Sequence, residues 1–503
     1  MATSLIFEFG FEAPEPQEPA EADQPMRILV LGDFSARASR GLENAADLGK
    51  RAVRHVDLDN FDATIAQLAP ALTLALADGP AELRFGDLDD FHPDQLYQKA
   101  DYFQALHGQR QRLKNPATFA AAAAVLQPGA ATPAPSAAAP GATAAAEDAG
   151  DPFASLLGGT IKRAPAPAAG APDVNALIRN LVGQLPPGVD PRQSEYVAAA
   201  DAVIGERMRE LLHAPAFQQL EAAWRGLHLL VTGMELDEQL QLHIVDVSKA
   251  ELLADLSAAG GDLQKSGLYR LLVDQPRRSP DSAPWSVVAG NYSFGGSEDD
   301  IGLLSAIGAI AAQAGAPFIG TAQDSLLGTA SLAAQPDPSD WSAPDADQAA
   351  RWQALRTSPQ AVSIGLALPR VLLRLPYGKA TDSIDQFDFE EADASHAHED
   401  YLWGHASLAC ALLLGRAFEQ NGWEMSAADE LDLADLPAHT VRRDGNAGMQ
   451  ACAEAYLSER AGDAILKQGL MPLLSFKNRP AVRLLRSQSI ALPAQALAGP
   501  WAN

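Results

Sequence analysis

A single sharp change of composition divides this chain and limits how it can fold. Residues 116–172 contain 23 alanines and 9 prolines in 57 positions, with only five charged side chains. A segment so poor in large apolar residues cannot bury enough surface to offset the entropy lost on ordering, which predicts a disordered tether. The chain is therefore predicted to comprise two modules, residues 1–115 and residues 173–503, joined by this linker.

One island inside the linker has a different composition. Residues 153–163 carry the large apolar side chains Phe153, Leu156, Leu157 and Ile161. Two central glycines would make a helix here weak in isolation, because glycine lowers helix propensity and short helices are marginal in water. We predict a short docking helix that forms against a partner.

The charge of the chain disfavours several classes of partner. Its 37 basic and 64 acidic residues give a net charge of −27, so sequence-independent binding to nucleic acid or to an anionic membrane is not expected. Two cysteines, Cys410 and Cys452, suit a reducing compartment, and the N-terminus lacks the basic region of a signal peptide. Residues 301–322 are interrupted by Gln313 and Pro317, which favours a buried helix over a membrane span. These features predict a cytoplasmic protein.

The first module combines patterns of both strand and helix. Residues 27–34 form an apolar run that predicts a buried strand, and residues 60–68 predict a short helix. Residues 72–76 and 82–85 predict two further strands. A proline at position 93 suits the first turn of a helix that continues to Leu113. We therefore predict a small α/β module.

A separate strand is predicted near the N-terminus. Residues 5–11 alternate apolar and polar side chains, with Leu5, Phe7 and Phe9 on one face. An acidic, proline-containing arm separates them from the next strand. Such a strand suits addition to a sheet edge elsewhere through main-chain hydrogen bonds, or it is the first edge strand of its own sheet. Both interpretations stay open at this point.

The second module is predicted to contain long helices followed by alternating α and β elements. Apolar residues recur at helical spacing from Ile204 to Val231, with a break at Pro215, which predicts two packed helices. Ser248 and Glu251 form a capping-box pattern at the start of another helix. Further strands are predicted at residues 240–244, 268–273, 285–289 and 362–368, and helices at residues 301–314 and 405–420. The whole chain is predicted to have a mixed α/β (α+β) fold.

No motif in the sequence points clearly to catalysis. The glycine clusters near residues 290–297 and 315–320 lack the spacing and the lysine of phosphate-binding loops. His396, His398 and Asp400 have metal-ligand types, but no second cluster supplies the remaining ligands, and a solvated polar loop explains them as well. Cys410 lies in an apolar run typical of an inert buried thiol. We predict a non-enzymatic protein without cofactors, with a metal-dependent enzyme using His396 and His398 as the alternative.

Several arginines lie in unusually apolar surroundings. Glu221 and Arg225 are spaced i,i+4 beside Trp224, and Arg370 and Arg374 lie in a strongly apolar run. The planar guanidinium can bind a carboxylate in a bidentate manner while the side-chain stem packs against apolar groups. The four charged residues are predicted either to form structural ion pairs or, together with Trp224, to bind a partner at an interface.

The later part of the chain resembles a known family. Residues 213–231 are similar to the hallmark segment of the large contractile-sheath subunit of the bacterial type VI secretion system, the TssC or VipB family. Residues 248–256, 368–377, 417–423 and 469–473 agree with further landmarks of that family in the same order. The resemblance covers roughly residues 173–493.

The first module resembles the small sheath subunit, TssB or VipA. The matching segments are residues 28–35, 56–62, 83–85, 90–94 and 109–113. The chain is therefore similar to a fusion of the small and large subunits. Joining two such partners holds them at an effective concentration in the millimolar range.

The resemblance implies a structural role and a set of partners. A sheath subunit assembles with other sheath subunits or copies of itself around an inner Hcp-like tube, attached to a baseplate, and a ClpV-like AAA+ ATPase recycles it. Residues 153–163 loosely resemble the peptide that this ATPase captures. Family landmarks stop near Trp501, and both modules lack extensions that link neighbouring subunits in the family. We therefore also consider an accessory sheath-like protein that caps, nucleates or regulates a sheath.

Overall fold

The computed structural model describes residues 20–21, 23–126, 192–278, 283–392, 397–443 and 446–501. The predictions that concern Leu5, Phe7 and Phe9, the island at residues 153–163 and His396 lie outside these residues. The strands are β1 (Met26–Gly32), β2 (Arg54–His55), β3 (Ala71–Leu76), β4 (Gly79–Arg84), β5 (Leu240–Asp246), β6 (Val287–Phe294), β7 (Phe318–Ala322), β8 (Ile364–Leu368), β9 (Val371–Arg374), β10 (Leu402–Gly404), β11 (Asp432–Leu433), β12 (Thr440–Arg443), β13 (Asn446–Met449), β14 (Met471–Ser475) and β15 (Val482–Leu484).

Helices lie between most of these strands. They are α1 (Arg37–Arg40), α2 (Phe61–Leu68), α3 (Pro93–Lys99), α4 (Asp101–Lys114), α5 (Pro116–Leu126), α6 (Arg192–Leu212), α7 (Pro215–Gly233), α8 (Lys249–Ala258), α9 (Gly267–Tyr269), α10 (Gln275–Arg278), α11 (Glu298–Ala314), α12 (Ala346–Arg356), α13 (Ala406–Asn421) and α14 (Glu459–Lys467). A π-helical segment, Arg270–Asp274, joins α9 to α10. The predicted mixed fold is confirmed. Within the described ranges, no helix has the length and apolar character that crossing a bilayer requires.

A nine-stranded sheet organises the fold. Its strand order is β11-β15-β14-β8-β7-β6-β1-β5-β2. The six central strands, from β14 to β5, run parallel, and the outer strands are antiparallel to their neighbours. Both edges end in two-residue strands, β11 and β2, a length that limits unwanted edge-to-edge pairing.

One inner strand of the sheet, β1, comes from the N-terminal part of the chain. It pairs in parallel with β5 along its whole length, starting with Met26 opposite Leu240, and with β6 on its other side. The predicted strand at residues 27–34 is therefore confirmed. This strand completes a sheet whose other long strands all follow residue 192, a pairing that the sequence did not indicate. A strand that is buried on both faces needs a neighbouring strand at each edge. Both neighbours of β1 come from residues after 192.

Each face of the sheet carries its own apolar core, and β1 contributes to both. Ile28 and Val30 pack in the core covered by α4, α5, α6, α7 and α13. Leu29 and Leu31 point the other way, into the core covered by α8, α9, α11, α12 and α14. This alternation follows from the two-residue period of a strand, and it explains why the run shows no polar face.

One helix lies inside the segment predicted to be a tether. Residues 116–126 form α5, which buries Phe119, Ala122, Ala123 and Leu126. The Phe119 ring lies 5.6 Å from that of Tyr196 in α6. Alanine is the best helix former, so a single aromatic anchor and an apolar stripe suffice to dock an alanine-rich segment. The predicted linker is thus shorter at its N-terminal end than its composition indicates.

The strand predicted at residues 268–273 is wrong, because this segment is helical. Ser266 caps its start by accepting a hydrogen bond from the Tyr269 amide at 3.0 Å. The carboxylate of Asp255 accepts from the amides of Gly267 and Leu268 at 2.8 and 3.0 Å. An apolar run buried on all sides carries no periodicity that separates strand from helix.

Candidate functional site

The two parts of the chain meet along an extensive contact, which we call the seam. It joins residues 20–126, the N-terminal segment, to residues 192–501, the C-terminal segment. Besides the pairing of β1, the seam contains a buried carboxylate that accepts several hydrogen bonds, two bidentate ion pairs and a buried tryptophan.

Glu251 supplies the buried carboxylate of the seam. It lies at the third position of α8, where it forms the predicted capping box with Ser248. From the N-terminal segment it accepts hydrogen bonds from Arg37 at 3.0 Å, Arg51 at 2.9 Å and the Asn44 amide at 2.6 Å. Burial alone would raise the pKa of Glu251, but the bonds from Arg51 and Arg37 outweigh burial and hold the pKa well below its usual range. The carboxylate is therefore ionised and binds both arginines.

Replacing Glu251 is expected to weaken the seam. E251Q leaves Arg51 without its charged partner and leaves Arg37 with only Asp246, at 3.7 Å. Because both arginines keep some contact with water, we expect a loss of about 2 kcal/mol in folding free energy. Urea denaturation followed by circular dichroism measures it. D47N removes an exposed pair with Lys50 in the same segment and should change stability by less than about 0.5 kcal/mol. Equal effects of the two substitutions would contradict this role of Glu251.

Two further arginines bind aspartates across the seam. Arg110 of α4 binds both carboxylate oxygens of Asp201 in α6, and both side chains are buried. Arg207 of α6 binds both oxygens of Asp78, in the turn between β3 and β4, at 2.5 and 3.3 Å. Each pair is bidentate, the geometry that gives arginine–carboxylate contacts their specificity. The pairs fix the register of α6 against the N-terminal segment.

Trp224 is the apolar anchor of the seam. It lies on α7, is fully buried, and donates a hydrogen bond from Nε1 to the carbonyl oxygen of Phe34 at 2.9 Å. The rings of Phe34 and Phe61 lie 5.3 and 5.9 Å from its own. Trp224 was predicted to take part in structural packing or in partner binding. Its contacts lie inside this chain, between the two segments.

Three of the predicted arginine and glutamate residues form a buried charge cluster within the C-terminal segment. Arg374 of β9 binds Glu221 of α7 at 2.7 Å and Glu391 at 2.6 Å. Arg225 binds the same Glu221 oxygen at 2.7 Å. Glu391 also accepts from the Tyr377 amide at 2.8 Å. These contacts support the structural ion pairs that the sequence left open as one of two alternatives.

Arg370 forms a separate ion pair nearby. It binds Glu454 at 2.6 Å, and a ring nitrogen of His398 lies 2.9 Å from the same carboxylate oxygen. The His398 ring is stacked on Trp403, with 5.0 Å between centroids. His398 thus has protein partners. Across the described residues, no group of three or more histidine, cysteine or acidic side chains has the arrangement of a metal site.

His243 is a buried titratable group of the sheet. It lies on β5, with the rings of His55 and Trp285 each 5.2 Å away. Burial, and then the nearby positive charge of Arg27, lowers the pKa of His243 to about 3. Its Nδ1 has no hydrogen-bond partner among the described residues. The imidazole is therefore neutral in the folded protein at neutral pH.

Folding stability is expected to fall as the pH drops below 6.5. The unfolded chain protonates His243 near pH 6.5, whereas the folded protein does so only near pH 3, so the unfolded state holds more protons in between. This residue alone should cost about 2 kcal/mol by about pH 5. Urea denaturation between about pH 5 and pH 7.5 measures the slope. H243Q should flatten it and H107Q, at a partly exposed position, should not; an unchanged slope in H243Q would contradict the argument.

Some important residues had no recognisable signal in the sequence. The capping box located Glu251 on a helix, but nothing indicated that Arg37 and Arg51 bind it from about 200 positions away. Glu391, Glu454 and Asp201 are three among 64 acidic residues. Only the folded chain shows which carboxylates are buried and which arginines they meet.

Comparison with known proteins agrees with this division of the chain. Residues 194–491 match the VipB family, described as EvpB/VC_A0108, tail sheath N-terminal domain. Residues 11–123 match the family described as Type VI secretion system, VipA, VC_A0107 or Hcp2.

A curated relative matches the C-terminal segment. It is the type VI secretion system sheath protein TssC1 of Pseudomonas aeruginosa strain PAO1, 34% identical over 308 residues. The alignment covers 59% of this chain and 61% of the length of that protein. The predicted resemblance is confirmed: the chain belongs to the type VI secretion tail sheath family, and it joins a VipA-type and a VipB-type part in one polypeptide.

Proposed function

We propose that this protein is a structural component of a type VI contractile sheath, in which one chain supplies both the small and the large subunit. The observation that carries the proposal is the position of β1. The VipA-type part provides an inner strand of a sheet whose other long strands belong to the VipB-type part. Fusion fixes the ratio of the two parts at one to one.

The proposed role is non-enzymatic and cytoplasmic. The buried carboxylates of the seam and of the charge cluster are paired with arginines, an arrangement that suits holding segments together. Burial raises the pKa of the Cys410 thiol to about 12, so this thiol is a poor nucleophile.

The proposed partners of the protein are other sheath subunits or copies of itself, an Hcp-like inner tube and a baseplate. These partners follow from the family and not from a contact in the structure.

Assembly is the direct test of the proposal. Purified full-length protein, alone and with any separate sheath subunits of the same cell, is examined by negative-stain electron microscopy. We expect tubes. The matched control is E251Q, which weakens the seam and should reduce their number at equal protein concentration. Folded protein that gives neither tubes nor rings under any of these conditions would contradict the proposal, and caps or rings without tubes would favour the accessory role.

Recycling by a ClpV-like ATPase is a separate part of the proposal, and it depends on residues 153–163. Deleting them should abolish capture of the ATPase in a pull-down, because Phe153, Leu156, Leu157 and Ile161 would supply the apolar contact. The circular dichroism spectrum and the melting temperature should not change. A matched deletion of residues 130–140, which lack large apolar side chains, should leave capture intact. Unchanged capture after removal of residues 153–163 would rule out this docking site.

A further inference from the structure

The long helices on one face of the sheet all point the same way. α8 and α11 begin directly after strands β5 and β6, and α12 and α14 end directly before strands β8 and β14. These four strands are parallel, so each helix starts at the carboxyl edge of the sheet and ends at its amino edge. The 17 residues of α11 place the two edges about 25 Å apart.

The carboxyl edge of this helical layer is acidic. Each of the four helices has an acidic residue in its first turn, where the helix dipole favours negative charge. The loop before α12 adds more, and the pair of Asp337 with Arg460 at 2.6 Å places this loop at the start of α14. We call the exposed acidic residues of this region the acidic edge: Glu298, Asp299, Asp337, Asp340, Asp345 and Asp347.

The amino edge of the same layer carries positive charge. The segment between α8 and β6 lies there, because Arg277 donates a hydrogen bond to the carbonyl oxygen of Gln313, in the last turn of α11, at 3.0 Å. Gln275 donates to the carbonyl oxygen of Gly49 at 3.1 Å, which brings residue 50 beside this segment. We call the exposed cations of this region the basic edge: Lys50, Lys265, Arg270, Arg277 and Arg278.

The basic edge has more positive charge than its neighbours neutralise. Lys50, Lys265 and Arg278 each form an exposed pair with a nearby aspartate, a class of contact that is weak in water. Arg270 and Arg277 form no ion pair with any carboxylate in the part of the chain that the structure describes. Such a surface is exceptional on a chain with a net charge of −27.

We propose that the basic edge of one copy binds the acidic edge of the next copy. The two edges have opposite charge and lie at opposite ends of one layer, so a second copy displaced along the strand direction brings one edge against the other. This head-to-tail contact is heterologous, and it repeats from copy to copy as a ring or a helical array. The matching acidic surface lies on the same molecule, whereas the net charge of −27 would repel a nucleic acid.

This inference deepens the proposed sheath function and rests on it for its setting, because a sheath needs a contact that repeats between copies. The two can still fail separately. Tubes that persist when the edges are altered would leave the proposed function standing and overturn the inference. Association through the edges in a protein that forms no tubes would do the reverse.

Sedimentation velocity of the full-length protein tests the contact. Exposed charges interact over about 10 Å at about 0.1 M salt and over about 3 Å at about 1 M salt, so association should appear at the lower concentration and disappear at the higher one. R270E/R277E reverses the two unpaired arginines and should weaken association by about tenfold or more. R84E/R112E makes the same change of charge at two exposed arginines of the N-terminal segment and should leave association unchanged.

A mixture of edge variants makes the test specific. D340K/D347K alters the acidic edge and should also lose association. An equimolar mixture with R270E/R277E should associate again, because the unchanged acidic edge of one variant meets the unchanged basic edge of the other. Circular dichroism checks the fold of each variant. If R270E/R277E perturbs the fold, R270Q/R277Q removes the same charges and should weaken association by a smaller factor.

Three results would overturn the inference. The first is wild-type protein that stays monomeric at both salt concentrations. The second is association that R270E/R277E leaves intact, or that R84E/R112E weakens to the same extent. The third is binding of a short DNA duplex that R270E/R277E abolishes, in a protein that does not associate with itself, because the basic edge would then serve another partner.

Discussion

Replacing Arg374 with methionine is expected to lower the folding free energy by about 3–5 kcal/mol. The side chain is 8% exposed and lies between Glu221 and Glu391, which are 0% and 1% exposed. Burial alone would lower the pKa of Arg374, but the two carboxylates outweigh it and raise the pKa well above its usual value. Without the guanidinium, Glu391 would be a buried carboxylate that keeps only the Tyr377 amide at 2.8 Å and the His213 ring at 3.6 Å. Urea denaturation followed by circular dichroism at neutral pH measures the loss.

Two comparisons separate this effect from a general loss of packing. R460M removes an exposed pair with Asp337 and should cost less than about 1 kcal/mol. The double variant R374M/E391Q should recover part of the loss, because Glu391 then carries no charge while Glu221 keeps Arg225. If R374M is no more destabilising than R460M, the buried charge cluster does not stabilise the fold.

The local structure around β1 was predictable from the sequence, whereas its place in the sheet was not. An apolar run that ends in Gly32 indicates a strand buried on both faces. It carries no information about which strands pair with it. The partner β5 begins at Leu240, more than 200 positions away, and the intervening residues include the predicted tether. Side-chain pattern specifies burial, and long-range pairing is decided by packing that the pattern does not encode.

The partners of the arginines were also only partly predictable from the sequence. Their apolar surroundings predicted structural or interfacial ion pairs, and the structure has Arg374 in a buried pair with Glu221. The second partner, Glu391, lies in a polar loop 17 positions later, where nothing distinguishes it from the adjacent Glu390. The alanine-rich residues of α5 show the converse error, because composition predicted disorder and a single contact, Phe119 with Tyr196, indicates docking.

Replacing Trp224 with alanine is expected to destabilise the seam by about 4–5 kcal/mol. The indole is fully buried between Phe34 and Phe61, both from the N-terminal segment, so its removal leaves a large cavity. The Phe34 carbonyl also loses its donor. The loss should appear first at the seam, as faster proteolysis of residues 20–126 and a lower urea midpoint.

Two further substitutions test whether the effect arises from position and not from tryptophan content. W224F keeps one aromatic ring but loses the rest of the indole and the Nε1 hydrogen bond, so it should cost less than W224A, about 2–3 kcal/mol. W341A removes a partly exposed tryptophan whose Nε1 bonds to the Gln335 carbonyl, and it should cost less than W224A while leaving the proteolysis of the N-terminal segment unchanged. Because Trp224 contacts both segments, a stable W224A protein with a protected N-terminal segment would show that β1 and the ion pairs alone hold the seam together.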